Sequence, residues 1–249
     1  MDIQEIHKNL LELVVQFDKI CVDNNIHYTL HGGSLLGAIR EHGFIPWDDD
    51  IDTAMVRSEF KKLEEVLKDN TDFYIYGDIK KQFRRKNDDA MWIDIFVCDY
   101  ISNSVGKKRK LLSLTVLDIM YKDKNSIKLV NFKKYSMPKR VAYKIAYFIG
   151  KAVPRNFKVR EYNKIAEYKY LGNKEYMHRS NDQFSGRAKV FPSAWMDGYM
   201  RVPFENLELS VISNYDEMLC DCYGKDYMTP IRDARNHEVH EIVRGEVRL

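Results

Sequence analysis

The chain of 249 residues has few cysteines and no long apolar run. Its cysteines are Cys21, Cys98, Cys220 and Cys222, and only the last two lie close together, at a spacing too tight for the common zinc pattern. We therefore expect reduced core cysteines, as in a cytoplasmic protein. The longest uninterrupted apolar run, 145–149, is far shorter than a membrane span, and the N-terminus lacks the basic start and apolar core of a secretion signal.

Acidic residues are scarce in one long segment of the chain. Residues 105–170 contain 18 Lys and Arg against 4 Asp and Glu, so this segment carries +14 while the whole chain carries +3. Such an asymmetry points to an anionic partner for the segment. No recognition motif for nucleic acid accompanies the charge, so we do not expect nucleic acid to be that partner. With 45% hydrophobic residues, the chain can bury one large domain, or one domain and an accessory lobe.

A cluster of carboxylates follows the apolar segment 45–47. Ile51 separates Asp50 from Asp52, and the residues after Asp52 are apolar or β-branched, which predicts a strand. Positions i and i+2 of a strand share a face, so the two carboxylates repel each other unless a cation lies between them. Mg²⁺ fits best, because it takes oxygen ligands and commonly bridges carboxylates to substrate phosphates. A solvated acidic loop is the alternative, although such a loop does not need the rigid apolar approach of 45–47.

A Gly-Gly-Ser turn precedes the acids by about 16 residues. Residues 28–30 read as a short strand, Gly32 and Gly33 permit a tight turn, and Ser34 is a candidate N-cap for the helical run 35–39. Free backbone N–H groups at a helix N-terminus can bind an anion such as phosphate. The turn therefore predicts a phosphate site that faces a metal site, and the alternative is a plain connection between a strand and a helix.

A further acid, Asp94, lies at the centre of the strongly strand-forming run 91–97. A buried lone carboxylate is costly unless it is paired or bound to a metal. We therefore interpret Asp94 as the third ligand of the metal site, and pairing with Arg84 or Arg85 is the alternative.

The remaining elements follow from periodicity and turn residues. Apolar residues spaced by three and four predict a helix over 3–23, and a second helix is predicted from Ser58 to about Lys68. Residues 87–89 are predicted to form a polar loop. The other predicted elements are a strand at 26–30, strands at 72–77 and 79–86 joined by a turn at 77–78, and helices at 107–122, 138–151 and 158–171.

The predicted helix 138–151 combines an apolar face with basic flanks. Its apolar residues are Val141, Ala142, Ile145, Phe148 and Ile149, and the flanking cations are Lys139, Arg140, Lys144 and Lys151. A basic amphipathic helix of this kind can lie on an anionic bilayer. The alternative is the solvated face of an ordinary helical lobe.

Two runs within residues 26–60 closely resemble the signature of the LicD family. They are His-Gly-Gly-Ser-Leu-Leu-Gly-Ala-Ile-Arg at 31–40 and Gly-Phe-Ile-Pro-Trp-Asp-Asp-Asp-Ile-Asp at 43–52. The family includes bacterial phosphocholine transferases and is related to fukutin-type pentitol-phosphate transferases. The resemblance implies an α/β (α+β) fold with a nucleotidyltransferase-like mixed sheet. We expect residues 1–104 and 176–249 to form this core, and 105–175 to form a basic helical lobe.

The resemblance implies a metal-dependent phosphotransferase. A donor such as CDP-choline loses CMP, and its phosphocholine passes to a hydroxyl of a cell-surface glycan, such as teichoic acid or lipopolysaccharide, or of its lipid-linked precursor. The alternatives are transfer of a pentitol, glycerol or sugar phosphate from another nucleotide donor, and a non-catalytic glycan-binding relative. We expect a cytoplasmic protein, with peripheral contact between residues 105–170 and the anionic inner face of the plasma membrane.

The resemblance also assigns roles to residues of the predicted site. It implies that Asp50, Asp52 and Asp94 hold one or two Mg²⁺ or Mn²⁺ ions, and that Asp48 or Asp94 accepts the proton of the attacking hydroxyl. The residues expected to bind the donor are Gly32, Gly33, Ser34, Arg40, Trp47 and Arg57. Trp47 is the best placed of the aromatic residues to contact a quaternary ammonium group. Arg57 is either a phosphate contact or a surface cation.

Overall fold

The computed structural model describes residues 2–102, 105–167 and 174–230, and these form a mixed α/β fold as expected. The helices are α1 (Ile3–Asp23), α2 (Gly32–Arg40), α3 (Arg57–Leu67), α4 (Val105–Tyr121), α5 (Met137–Ala152), α6 (Arg155–Glu167), α7 (Phe184–Arg187) and α8 (Tyr215–Tyr223). The strands are β1 (Thr29–Leu30), β2 (Ile51–Val56), β3 (Phe73–Tyr76), β4 (Lys81–Arg85), β5 (Asp88–Tyr100), β6 (Tyr176–Arg179), β7 (Phe191–Pro192), β8 (Tyr199–Phe204) and β9 (Leu207–Ile212).

The chain divides into two compact units. The first comprises Met1–Tyr76, Gln82–Ile95 and Trp195–Leu249, and the second comprises Gly77–Lys81 and Phe96–Ala194. The predicted domain limits at 104 and 175 stay a prediction. Among the described residues, no helix combines the length and the apolar character needed to cross a membrane.

The first unit is built on a sheet in the order β1-β2-β5-β4-β3, together with the β8–β9 hairpin. Helix α1 has the predicted bounds, and Asp2 caps it by accepting a hydrogen bond from the backbone of Glu5. Its apolar stripe is buried, and Phe17 packs edge-on against Tyr28 and Phe83 at centroid distances of 5.0 Å and 5.2 Å. The predicted hairpin is confirmed, since β3 and β4 pair antiparallel.

Several predicted boundaries differ from the structure. Only Thr29 and Leu30 of the predicted strand 26–30 are extended in a ladder. Helix α2 begins at Gly32 with His31 as its N-cap, so the prediction that Ser34 caps this helix is wrong. Strand β5 begins at Asp88, inside the predicted polar loop, because Asn87 turns the chain with a φ of 64°.

The second unit contains the basic helices, the end of β5, and strands β6 and β7. The three predicted helices are present, although the last residues of the predicted helix 158–171 lie outside the described part of the chain. Two buried lysines, Lys110 and Lys158, donate hydrogen bonds to backbone carbonyl groups in this unit. Lys110 Nζ donates to the backbone oxygens of Tyr100 and Ala166 at 2.6 Å and 2.5 Å. These hydrogen bonds compensate for the burial of the charge.

Candidate active site

The antiparallel pairing of β1 with β2 brings the glycine turn to the acidic strand. Leu30 lies opposite Thr53, and the next residue, His31, donates its backbone N–H to the carbonyl oxygen of Asp52 at 2.9 Å. Gly32 follows with a φ of +57°, a left-handed conformation that favours glycine. A Cβ atom at Gly32 would lie 2.9 Å from Oδ2 of Asp52. The turn and the acid are therefore in direct contact.

The second glycine of the turn faces another acid. A Cβ atom at Gly33 would lie only 2.3 Å from Oδ2 of Asp48, so the space left by the missing side chain holds this carboxylate. Two carboxylates thus lie against the turn that the sequence suggests as a phosphate site. A phosphate can approach these negative groups closely only if a cation lies between them. The geometry therefore couples the predicted phosphate site to the predicted metal site.

Ser34 has a different local role from the predicted one. Its side chain is buried, and its hydroxyl oxygen accepts a hydrogen bond from the backbone N–H of Asp52 at 2.9 Å. The hydroxyl group therefore fixes the start of β2 relative to α2. Strand β2 begins at Ile51, so Asp52 lies in the strand and Asp50 immediately precedes it.

The structure brings three consecutive acids together. One carboxylate oxygen from each of Asp48, Asp49 and Asp50 lies within 4.8 Å of the others, and all three residues are half-buried. Carboxylate oxygens are the ligands that Mg²⁺ and Mn²⁺ prefer, so this donor set fits a hard divalent cation. The sequence analysis assigns roles to Asp48 and Asp50 but none to Asp49.

Asp94 lies on the strand next to β2. The Thr53 hydroxyl donates to the carbonyl oxygen of Asp94 at 3.0 Å, which places Asp94 beside the residue that follows Asp52. Its carboxylate accepts hydrogen bonds from Gln82 Nε2 at 2.9 Å and from Trp92 Nε1 at 3.3 Å. These neutral donors come from the β4–β5 face. The role of Asp94 as the third metal ligand stays a prediction.

An arginine and two aromatic rings lie on the same face as Asp94. The Arg84 guanidinium lies 4.2 Å from the centroid of the Tyr76 ring and 4.8 Å from that of Trp92. It also donates twice to Oε1 of Gln82, at 2.7 Å and 3.1 Å. The side-chain amide of Gln82 therefore connects Arg84 to Asp94. Arg84 is one of the two arginines that the sequence suggests as an alternative partner of Asp94.

The loop that carries the acids is held from two sides. His7 of α1 donates from Nε2 to the carbonyl oxygen of Asp48 at 2.6 Å, and its ring stacks on Phe44 at a centroid distance of 4.2 Å. Glu205, in the β8–β9 turn, accepts from the Phe44 backbone N–H at 3.0 Å and donates its own N–H to the carbonyl of His42 at 2.7 Å. The sequence gives no local signal for either contact.

The other predicted donor-binding residues have diverse surroundings. Arg40 donates to the Glu41 carboxylate at 2.7 Å and to the carbonyl of Tyr227 at 3.2 Å, and its side chain is almost fully buried. These two hydrogen bonds fix the guanidinium, and the role of Arg40 in donor binding stays a prediction. Trp47 is half-buried directly before the acid cluster, and Arg57 is half-buried as the first residue of α3.

Comparison with known proteins agrees with these features. Residues 25–139 match the model of the nucleotidyltransferase domain described as LicD/FKTN/FKRP. The chain is also 27% identical over 263 aligned residues to the lipopolysaccharide cholinephosphotransferase LicD of Haemophilus influenzae, with 93% of this chain and 94% of that protein covered. The chain is therefore similar to the LicD family, and residues 25–139 carry the match to its domain. Shorter matches link it to uncharacterized proteins of Rickettsia prowazekii (36% identity over 59 residues, 24% of this chain and 22% of that protein) and Rickettsia typhi (32% over 80 residues, 28% and 26%).

The segment that matches the LicD domain includes the glycine turn, the acid cluster and Asp94, whereas Tyr223 lies outside it. Partial burial and the negative charges of Cys222, Asp52, Asp48 and Asp50 raise the pKa of the Tyr223 phenol. This residue, at the end of α8, is therefore close to the acid cluster. Nothing in the local sequence around Tyr223 indicates this position, because the two segments are about 170 residues apart in the chain.

Proposed function

We propose that this protein is a metal-dependent phosphotransferase that moves phosphocholine from CDP-choline to a hydroxyl of a cell-surface glycan or its lipid-linked precursor. The main support is the similarity to a lipopolysaccharide cholinephosphotransferase over nearly the whole length of both chains. The contact between the Gly-Gly turn and two carboxylates, inside the LicD-matched segment, adds a site of suitable chemistry.

In this proposal, the acids that follow Trp47, together with Asp94, hold Mg²⁺ or Mn²⁺. The bound metal neutralises the negative charge of the diphosphate donor and of the transferred phosphoryl group. Backbone N–H groups at the N-terminus of α2 bind the phosphates. Ser34 acts as a positioning residue, because its hydroxyl group holds the backbone of Asp52.

The transfer itself exchanges one P–O bond for another. The acceptor hydroxyl oxygen bonds to the phosphorus that carries choline, while the bond from this phosphorus to the leaving CMP oxygen breaks. The hydroxyl proton passes to an acid of the site. We assign this proton to Asp48, whose carboxylate lies against the glycine turn that binds the phosphates in this proposal.

Choline recognition requires aromatic rings that can contact a quaternary ammonium group. Trp47 precedes the acid cluster and is our candidate for this contact. Tyr76 and Trp92 show that the face around Asp94 also accommodates a cation between two rings, since the Arg84 guanidinium lies there. Pentitol, glycerol and sugar groups carry no quaternary ammonium, so their transfer does not require these aromatic rings.

The test is release of nucleoside monophosphate by the full chain from a panel of CDP and UDP donors with Mg²⁺ and a glycan acceptor. We expect CMP from CDP-choline, and turnover should disappear when the metal is chelated. Preference for a CDP-pentitol or CDP-glycerol donor would keep the phosphotransferase and replace choline. No release from any donor, together with binding to the glycan, would favour a non-catalytic glycan-binding protein.

A further inference from the structure

Helix α5 packs with one side and exposes an apolar stripe on the other. Its buried residues are Tyr143, Ala146 and Gly150. Five other apolar residues on this helix are between 52% and 65% exposed, and they are Met137, Val141, Ile145, Phe148 and Ile149. At 3.6 residues per turn, these positions lie opposite the buried side and extend along the helix for roughly 18 Å. A helix on the surface of a lobe normally turns its apolar residues towards the core and its polar residues towards solvent.

Close packing fixes this orientation of the helix. A Cβ atom at Gly150 would lie 2.3 Å from the carbonyl oxygen of Met120, so the backbones of α5 and α4 approach closely. Lys158 Nζ donates to the carbonyl oxygens of both residues, at 2.8 Å and 3.1 Å. Tyr143 packs edge-on against Tyr135 at a centroid distance of 5.0 Å. Rotation of α5 to bury the stripe would break these contacts.

The charges of α5 are all positive. The helix contains four cations and no acid, and the exposed cations are Lys139, Lys144 and Lys151. Lys151 Nζ lies 5.1 Å from the centroid of Phe148, so positive charge directly borders the apolar stripe. Arg140 has a different role, because it donates to the carbonyl oxygens of Tyr135 and Lys133 at 2.6 Å and 2.9 Å and so holds the turn before the helix.

We propose that the exposed side of α5 docks on an anionic lipid bilayer, with the apolar stripe in the headgroup region and the lysines on the lipid phosphates. Contiguous exposed apolar patches mark interaction surfaces, and apolar residues beside cations fit an interfacial helix. A soluble anionic glycan would use the lysines and leave the stripe in water. A second copy of this chain would bring two segments of +14 together, which repel each other. This proposal does not depend on the transferred group.

The experiment is sedimentation of the full chain with vesicles of phosphatidylserine and phosphatidylcholine, or of phosphatidylcholine alone, at low and high salt. The stripe variant is I145S/F148S, and the charge variant is K139Q/K144Q/K151Q. Their matched controls are V22S, an exposed apolar residue of α1, and K61Q/K62Q/K68Q, three exposed lysines on or next to α3. All substituted side chains are exposed, so circular dichroism should show unchanged folding.

We expect wild type and both controls to pellet with the anionic vesicles at low salt and to be released at high salt. Each removed lysine should weaken partitioning about fivefold, so the triple variant loses on the order of a hundredfold, and the stripe variant should also lose binding. Wild-type pelleting by the stripe variant would overturn the proposal, because the apolar stripe would then take no part in binding, and so would the absence of wild-type pelleting with either vesicle. A concentration-dependent dimer that I145S/F148S dissociates would overturn it in favour of a second copy.

Discussion

At the scale of single residues, Gly33 is the most informative position, because the space of its missing side chain holds the Asp48 carboxylate. We predict that Gly33→Ala displaces this carboxylate and lowers phosphotransfer by about a hundredfold, the effect expected for a misplacement of roughly 1 Å in an active site. Thermal unfolding should change little, since a carboxylate end can shift. The control is Gly198→Ala, whose Cβ meets the Ser213 hydroxyl oxygen at 2.9 Å. Full activity of Gly33→Ala would contradict this account of the turn.

Another residue-scale prediction concerns His178 in β6. Burial, and then the positive charge of Lys110, lower the pKa of His178 to about 3, and its Nδ1–H donates to the Arg187 carbonyl at 2.9 Å. Between this value and the ordinary pKa of 6.5, the unfolded state binds a proton that the folded state does not. The contribution of His178 to stability is therefore complete above pH 6.5 and is lost as the pH falls.

We predict that the free energy of unfolding falls by about 1–2 kcal/mol between pH 7 and pH 5 because of this one group. Urea unfolding at both pH values measures it. His178→Asn keeps a donor near the position of Nδ1 and should remove most of the slope. His42→Asn changes an exposed histidine and should keep the slope. Equal slopes for wild type and His178→Asn would show that another group is responsible.

At the scale of elements, the acid-bearing loop is held by α1 and by the β8–β9 hairpin. His7 contributes both a hydrogen bond to the Asp48 carbonyl and a stacked ring on Phe44. We predict that His7→Gln, which keeps a donor, retains more phosphotransfer activity than His7→Phe, which keeps the stacked ring. His7→Phe leaves the Asp48 carbonyl without this donor and should lower the free energy of unfolding by about 1–3 kcal/mol, so the activities are compared at a temperature where both variants are folded. The reverse order of activities would assign the effect of His7 to stacking.

The sequence predicts elements well where the signal is local. Periodicity gives α1 with its correct bounds, and the turn at Gly77 gives the β3–β4 hairpin. The predicted start of α2 is wrong, because the Ser34 hydroxyl accepts a hydrogen bond from the backbone of Asp52 in β2 and does not cap its own helix. A competition between a local and a long-range partner is not visible in a single sequence.

The candidate site shows the same limit. The sequence predicts Asp48 and Asp50 as site residues, and Asp94 by its place in a strand. Its partners Gln82 and Trp92 depend on side chains that meet on one face of the folded sheet. Tyr223 lies near the acids although it comes from the far end of the chain, and no local feature of the sequence indicates this.

At the scale of the whole molecule, the chain separates two kinds of chemistry. The first compact unit contains the acid cluster and the glycine turn, and the second unit contains the basic helices. The LicD match begins at residue 25 and ends at 139, so it includes the site and the start of the basic segment. The helix with the exposed apolar stripe lies almost entirely beyond it.

The central claim is that the acids beside the glycine turn support metal-dependent transfer. The most direct test is the rate of CMP release from CDP-choline with Mg²⁺ for wild type, for Asp52→Asn, and for Asp69→Asn, an exposed acid outside the site. Asn keeps the shape of Asp52 and its contact with Gly32 but removes the charge. We predict a loss of at least a hundredfold for Asp52→Asn, since such electrostatic groups each contribute about 3 kcal/mol or more to the transition state. Asp69→Asn should match wild type, and wild-type turnover by Asp52→Asn would contradict the claim.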